Sequence, residues 1–397
     1  MKILLVSVNI MTTLFPVYPL GMSVVANILK KGNHDVFQFD FFANGQSYDK
    51  FEEVLKTFDP QLIGISIRNF DESLIEISNK IYSLSKKANK TVFVGGQACT
   101  ACSSFSQKNV WEKINADFYC LGQAEGNLVK FVNDFENGIL PKNKIIPTEN
   151  FNKIYGALYD KDILNFYKQF DLSVGVNSKR GCEYSCFYCS YRDIDGYSIK
   201  YRDIIDVIKD IKFLKENNIN SFFFADSILT DNSDYFFKLL TELKKEKLDI
   251  QWTGFLRPEK LTKNLLHLMK ETGLFSPNIS IDGTTKQTLE GYKKQFVWED
   301  VIKADEMIYD ENFEESRASF LFGGPCETKE SVLEGIDNIK KLHFTDIFIE
   351  IFETAPVNGK FIRREDVCDL TREWIEEQLI HSFGKIGMIE LNKKNEK

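Results

Sequence analysis

Short apolar runs alternate with amphipathic stretches from the first residues onward. Ile3–Val8 has the length of a buried strand, and Val36–Phe41, Leu62–Ile67, Thr91–Val94 and Asp117–Leu121 repeat it. Between them Gly21–Lys30, Tyr48–Phe58, Leu74–Lys87 and Glu125–Phe135 carry apolar residues at helical spacing, the first of them stopped by Gly32. Such alternation predicts a Rossmann-like, doubly wound parallel sheet, whose ligands bind at the carboxyl ends of the strands. Those ends carry Asn9, Leu20-Gly21, Ser66, Arg68-Asn69, Gly95-Gly96-Gln97 and Glu125. Glycines there let a ligand come close to the backbone.

A polar stretch over residues 141–170 reads as a linker, and the alternation then resumes. Leu172–Val176, Ser221–Ala225, Ile250–Gly254, Pro277–Ile281, Ala318–Phe322 and Asp346–Phe352 read as strands. Helical patterns follow the first five, at Tyr201–Glu216, Asp234–Lys245, Leu265–Thr272, Val297–Tyr309 and Glu330–Lys341. Units of this kind, with polar or glycine residues after each strand, predict a six-stranded partial barrel with its chemistry at the carboxyl ends. The expected class is α/β, with a sheet domain over 1–140, the linker, a barrel over 171–358 and a short helical segment over 359–397.

The loop after the first barrel strand reads Cys182-Glu183-Tyr184-Ser185-Cys186-Phe187-Tyr188-Cys189. Thiolates at this density select zinc or iron–sulfur over magnesium or calcium. A structural zinc site wants four ligands, and no fourth Cys or His lies close by. A cubane held by three cysteines leaves one iron open. A partial zinc knuckle and three buried thiols are the blander readings.

The C-x3-C-x2-C spacing, with an aromatic before the last cysteine, resembles the signature of the radical S-adenosylmethionine (SAM) enzymes. The resemblance implies a [4Fe–4S] cluster on Cys182, Cys186 and Cys189, with Tyr188 lying against SAM. It implies reductive cleavage of SAM to a 5′-deoxyadenosyl radical, with an electron donor such as flavodoxin or ferredoxin as partner. It also places Asp226-Ser227 at the SAM amino group and Ser280 and Asp282 at the ribose. Gly323-Gly324 and Glu353 fall near the adenine, and Arg257 is the candidate for the SAM carboxylate, since guanidinium matches carboxylate bidentately. Helix capping by Asp226 and Ser280, and a surface ion pair for Arg257, are the alternatives.

The N-terminal domain resembles the cobalamin-binding domain fused ahead of many such enzymes. The marks are Pro19-Leu20-Gly21 opening a helix, Gly64-Ile65-Ser66 in a strand, Gly95-Gly96 and Gly122-Gln123-Ala124-Glu125. The resemblance implies cobalamin at Leu20, Gly21, Ser66, Arg68, Asn69, Gly95, Gly96, Gln97 and Glu125. The Asp-x-His-x-x-Gly segment of other cobalamin proteins is absent, His34-Asp35 not matching it, so cobalamin is expected without a histidine ligand. An empty domain is the alternative.

The activity implied is methylation of an unactivated carbon on a small-molecule or peptide substrate. Hydrogen abstraction alone and a cluster-bearing sensor or binding module are the other classes. Cys326 stands where the family usually reads Gly-Gly-Pro-Gly-Glu-Thr. It is a candidate hydrogen-atom donor; a small inert packing residue, strained if the turn needs a positive φ, is the alternative.

Composition narrows the rest. The 397 residues carry a net charge of −8, which argues against a general nucleic-acid binder. No apolar run reaches the eighteen or so residues of a membrane span, and Met1–Val8 is too short for a secretory signal. Eight cysteines, clustered rather than spread, favour metal or redox chemistry in a reducing cytoplasm. Cys99 and Cys102, without further ligands nearby, read as small buried residues.

Overall fold

The computed structural model describes residues 1–12, 16–69, 71–104, 113–146, 153–357 and 360–391. The chain forms two units, Met1–Gly181 with Asp193–Phe222 and Cys182–Arg192 with Phe223–Lys397.

In the first unit the predicted strands form as β1 (Lys2–Ser7), β2 (Asp35–Asp40), β3 (Leu62–Ser66), β4 (Thr91–Gly95) and β5 (Phe118–Cys120). A sixth, β6 (Ile145–Ile146), lies within the stretch expected to be a linker, which also holds the helix Lys161–Tyr167. The sheet runs β2-β1-β3-β4-β5-β6, with parallel pairing throughout. Helices α1 (Leu20–Lys31), α2 (Tyr48–Phe58), α3 (Glu72–Lys87) and α4 (Gln97–Ser104) connect the first five strands. The helix Leu128–Glu136 follows β5.

On one face of the sheet Leu4, Val6, Ile63, Ile65, Val92 and Val94 join Phe51, Leu74 and Ile81 of the helices in one core, while Ile3, Leu5 and Phe93 are buried on the other. Each fully buried side chain of this size contributes about 1.5–3 kcal/mol, which is why near-continuous apolar runs specify a covered parallel sheet. Cys99 and Cys120 lie in this apolar interior; the Cys102 side chain is outside the described residues.

The strand order reverses at β1, so the edge beyond β1 and β3 is the switch point where open α/β sheets bind ligands. The backbone there is close-packed. Gly96 has φ +102, and a Cβ on it would stand 2.4 Å from the Ile67 carbonyl oxygen. Only glycine fits at that position.

The barrel strands form at Gly175–Val176, Ser221–Phe224, Gln251–Thr253 with Phe255–Leu256, Asn278–Asp282, Arg317–Phe322 and Asp346–Ile351. In the second unit Phe255–Leu256, Asn278–Asp282, Arg317–Phe322 and Asp346–Ile351 run parallel in that order. Gly387–Glu390, from the segment expected only to be helical, adds antiparallel to Asp346–Ile351. That segment also supplies the helix Arg372–Phe383. Among the described residues no helix is long and apolar enough to cross a membrane.

Candidate active site

The three cysteines of the signature lie on one short loop of the second unit. The Cys189 amide donates to the Cys186 carbonyl at 3.2 Å, closing a turn that brings these two together. Cys182 packs with Tyr184 and Ile228 in a small apolar cluster, against which Cys186 and Phe255 also pack. Burial, opposed by the Tyr191 amide and reinforced by Cys186 and Cys182, pushes the Cys189 thiol up to about 12. Among the described residues no three His, Cys, Asp or Glu side chains are placed to hold one metal ion. Thiolates on a cubane each bind a different iron, so its ligands stand further apart than those of a single ion. The donor set fits a cluster: three soft ligands, one short loop, an apolar surround.

Beside the loop lies a buried polar group that links it to the fourth barrel strand. The Tyr188 hydroxyl donates to Asp282 Oδ2 at 2.5 Å, and the Lys294 ammonium is paired with the same carboxylate. Lys294 also donates to the Tyr188 oxygen at 3.2 Å. Its side chain is only 3% exposed, so the ion pair is largely withdrawn from water. Burial alone would lower the Lys294 pKa, but Asp282 and then Cys186 hold it above its ordinary value. Burial and then Asp282 push the Tyr188 hydroxyl well up. Both directions keep Lys294 protonated and the Tyr188 hydroxyl neutral across the neutral range.

Arg257 is buried with its guanidinium 3.5 Å from the Tyr184 ring centroid. Its Nε donates to Glu259 at 2.5 Å, so the exposed ion pair considered for it is instead a buried one. Among the described residues its buried Nη2 has no hydrogen-bond partner, leaving a donor to meet an anionic ligand.

The remaining expectations fall unevenly. Asp226 is buried and Ser227 half-buried at the end of the second strand. Ser280 lies within the fourth strand and Asp282 ends it, with φ +66. Gly323 has φ +79, and a Cβ on Gly324 would stand 2.0 Å from the Tyr292 hydroxyl, so the turn after the fifth strand is built for glycine. Glu327 secures that turn by accepting the Gly323 amide at 2.7 Å. Cys326 does adopt a positive φ, +67, and is exposed rather than buried. Glu353 sits at the surface, paired with Arg372.

In the first unit Leu20 opens α1, Ser66 ends β3, Gly95 ends β4 and Gln97 opens α4. Arg68 and Asn69 are exposed beyond β3, Asn69 donating to the Met11 sulfur at 3.2 Å. A Cβ on Gly21 would meet nothing within 4 Å, so the start of α1 is open. Glu125 is buried, its carboxylate 2.8 Å from Arg180 Nη1, and so is occupied by a partner within the protein. Among the described residues the carboxyl edge thus offers the open start of α1 and the polar side chains of Ser66, Arg68 and Asn69, which suits a corrinoid.

Two sequence models match in the places these sites occupy. The B12 binding domain covers residues 6–132 and the radical SAM superfamily covers residues 176–339. The chain joins a B12 binding domain to a radical SAM domain. An uncharacterized methyltransferase of Pyrococcus horikoshii is 26% identical over 344 residues, spanning 82% of this chain and 73% of that protein. The anaerobic magnesium-protoporphyrin IX monomethyl ester cyclase of Rubrivivax gelatinosus is 24% identical, spanning 80% of this chain but 60% of its own length. Among solved structures, the radical SAM methyltransferase TsrM from Kitasatospora setae, with cobalamin and a [4Fe–4S] cluster bound, superposes with a TM-score of 0.78. It shares 17% identity and the match covers 90% of this chain and 72% of that one, a likeness of fold.

Lys294 was not foreseen from sequence. It follows Lys293 in an otherwise ordinary helix-ending stretch, and nothing local marks one lysine of the pair as buried.

Proposed function

We propose that this protein is a cobalamin-dependent radical SAM methyltransferase acting on a small molecule or peptide. The observation that carries the reading is the cysteine loop joined to the Tyr188–Asp282–Lys294 group at the carboxyl end of the barrel strands. When bound, the cluster and SAM would supply a carbon-centred radical, and cobalamin a methyl group. Cys182, Cys186 and Cys189 would hold the cluster. Tyr188 would lie against SAM, Asp282 and Ser280 would meet hydroxyl donors, and Arg257 Nη2 would donate to a carboxylate. Asp226, Ser227, Gly323, Gly324 and Glu353 would complete that surround. Leu20, Gly21, Ser66, Arg68, Asn69, Gly95, Gly96, Gln97 and Glu125 would form the corrinoid edge. The apolar packing around Cys182 and Tyr184 shields the Cys182 end of the loop from water, where charge interactions are strengthened.

One observation favours a second reading, hydrogen abstraction without methyl transfer. The Cys326 thiol is exposed and held in a left-handed backbone conformation. Its S–H bond could pass a hydrogen atom to a substrate carbon radical. The resulting thiyl would then need one electron from a reduced protein donor and one proton.

The test is anaerobic reconstitution with iron, sulfide and hydroxocobalamin, followed by SAM and reductant. The methyltransferase reading expects corrin and cluster absorbance to co-purify and 5′-deoxyadenosine to form. Absence of 5′-deoxyadenosine sinks both readings. Its formation by corrin-free protein that refuses cobalamin leaves only the second.

A further inference from the structure

The inner wall of the barrel sheet carries groups beyond those assigned above to the cofactors. In Asp346–Ile351, Ile347, Ile349 and Ile351 are buried, so Phe348 and Glu350 stand on the opposite face. The register carries that face across the sheet: Leu321 lies beside Glu350 and Ser319 beside Phe348, and Ser280 lies beside Ser319. Ile279, Ile281, Ala318, Phe320 and Phe322 are buried on the other side. The inner wall is thus small and polar at two serines, apolar at Leu321 and Phe348, and acidic at Glu350.

Glu350 makes no hydrogen bond or ion pair among the described residues. Solvent reaches it, yet burial and then Asp282 raise its pKa. A group both wetted and crowded stands on this face of the strand, within reach of the charge of Asp282. The charge of Asp282 is already answered by Lys294. Glu350 is left as the unanswered carboxylate of this wall.

We propose that Glu350 determines specificity by receiving a protonated amine of the substrate, whose apolar body lies over Leu321 and Phe348. The substrate class is therefore a small apolar or aromatic amine. This rests on the reading that the barrel binds SAM. The sulfonium of SAM is the other cation that a carboxylate here could face, and the test separates the two.

Reconstituted full-length protein is titrated calorimetrically with matched amine and alcohol pairs: tryptamine with tryptophol, phenethylamine with phenethyl alcohol, butylamine with butanol. Each pair is run with and without SAM. Wild type should prefer at least one amine about tenfold, as expected for a hydrogen bond to a charged group. Glu350→Gln should abolish the preference while SAM affinity stays the same, and SAM-loaded wild type should keep it. No amine preference in any pair, or one that survives Glu350→Gln, overturns the proposal. So does a variant that loses SAM affinity instead, which would assign Glu350 to the sulfonium. SAM cleavage by wild type is measured on the same preparation; its absence overturns the function proposed above, whatever the amine titrations give.

Discussion

Glu327 is a buried carboxylate whose cost can be measured. It is 7% exposed, its Oε2 accepts the Gly323 amide at 2.7 Å, and its Oε1 has no hydrogen-bond partner of good geometry among the described residues. Burial pushes its pKa up from 4.5 to about 7, against the pull of the Gly323 and Gly324 amides and the Ser331 hydroxyl. The difference corresponds to about 3 kcal/mol. Because the folded pKa lies above the unfolded one, this stability is fully present below pH 4.5 and is lost as pH rises through about 7. Glu327→Gln keeps an oxygen for Gly323 and never ionises. Its NH₂ can turn toward the Tyr292 hydroxyl, which lies close enough to Glu327 for the carboxylate to raise its pKa after burial does. The variant should therefore gain on wild type by up to about 3 kcal/mol between pH 5 and pH 8. At about 2–4 °C per kcal/mol, that is roughly 6–12 °C in Tm. Thermal unfolding followed by circular dichroism at pH 5, 6, 7 and 8, at constant ionic strength, reads the difference. Parallel profiles for the two proteins would refute the buried charge. A variant less stable at pH 8 would show that the bonds of the ionised carboxylate outweigh its desolvation.

Other outcomes follow from the same structure. Asp40, fully buried at the end of β2, has its pKa pushed up to about 6 by burial; Asp40→Asn should flatten the fall in stability between pH 4 and pH 6, by up to about 3 kcal/mol in urea unfolding. Lys294→Met leaves the Asp282 charge buried without its counter-ion, and should cost about 3–5 kcal/mol; the double variant with Asp282→Asn, which tolerates the left-handed φ of +66, should recover much of it. Gly324→Ala drives a Cβ to within 2.0 Å of the Tyr292 hydroxyl and 2.2 Å of its ring carbon Cζ and should cost about 1–3 kcal/mol, partly relieved by Tyr292→Leu. Replacing Cys182, Cys186 and Cys189 by Ala should abolish iron binding on reconstitution, and iron retained at wild-type content would refute their role as ligands.

The sheet of the first unit was legible because its strands are buried on both faces, so each reads as a continuous apolar run such as Ile3–Val8. The short elements were not. Ile145–Ile146 is two residues long and has no period to detect. Helix α4, Gln-Ala-Cys-Thr-Ala-Cys-Ser-Ser, is small and polar, without the apolar stripe that marks a helix. Gly387–Glu390 follows a turn at Gly384, φ +80, and its pairing is a long-range contact that no local pattern encodes. The third barrel strand is divided at Gly254, where a Cβ would stand 2.6 Å from Leu229 Cδ1. That constraint lies in the packing, not in the run itself.

The site was legible to the extent that its residues are unusual in kind, and hidden where they are ordinary in kind but unusual in place. Three cysteines in eight residues announce themselves; a lysine after a lysine does not. The structure separates that pair by backbone conformation. Lys293 takes φ +57 and stays exposed, and the next residue, Lys294, turns inward to Asp282. Asp282 itself holds φ +66, and Cys326, in the turn after the next strand, holds φ +67. Left-handed residues other than glycine cost of order 1–3 kcal/mol each unless the surroundings over-determine them. At Asp282 the surroundings do so, through Lys294 and Tyr188. At Cys326 the neighbouring Gln287 amide holds the carbonyl at 3.0 Å while the thiol stays open. The strained positions of the fourth and fifth strands therefore fall where the cysteine loop, the buried ion pair and the exposed thiol meet the barrel's carboxyl ends, the end at which barrels of this kind do their chemistry.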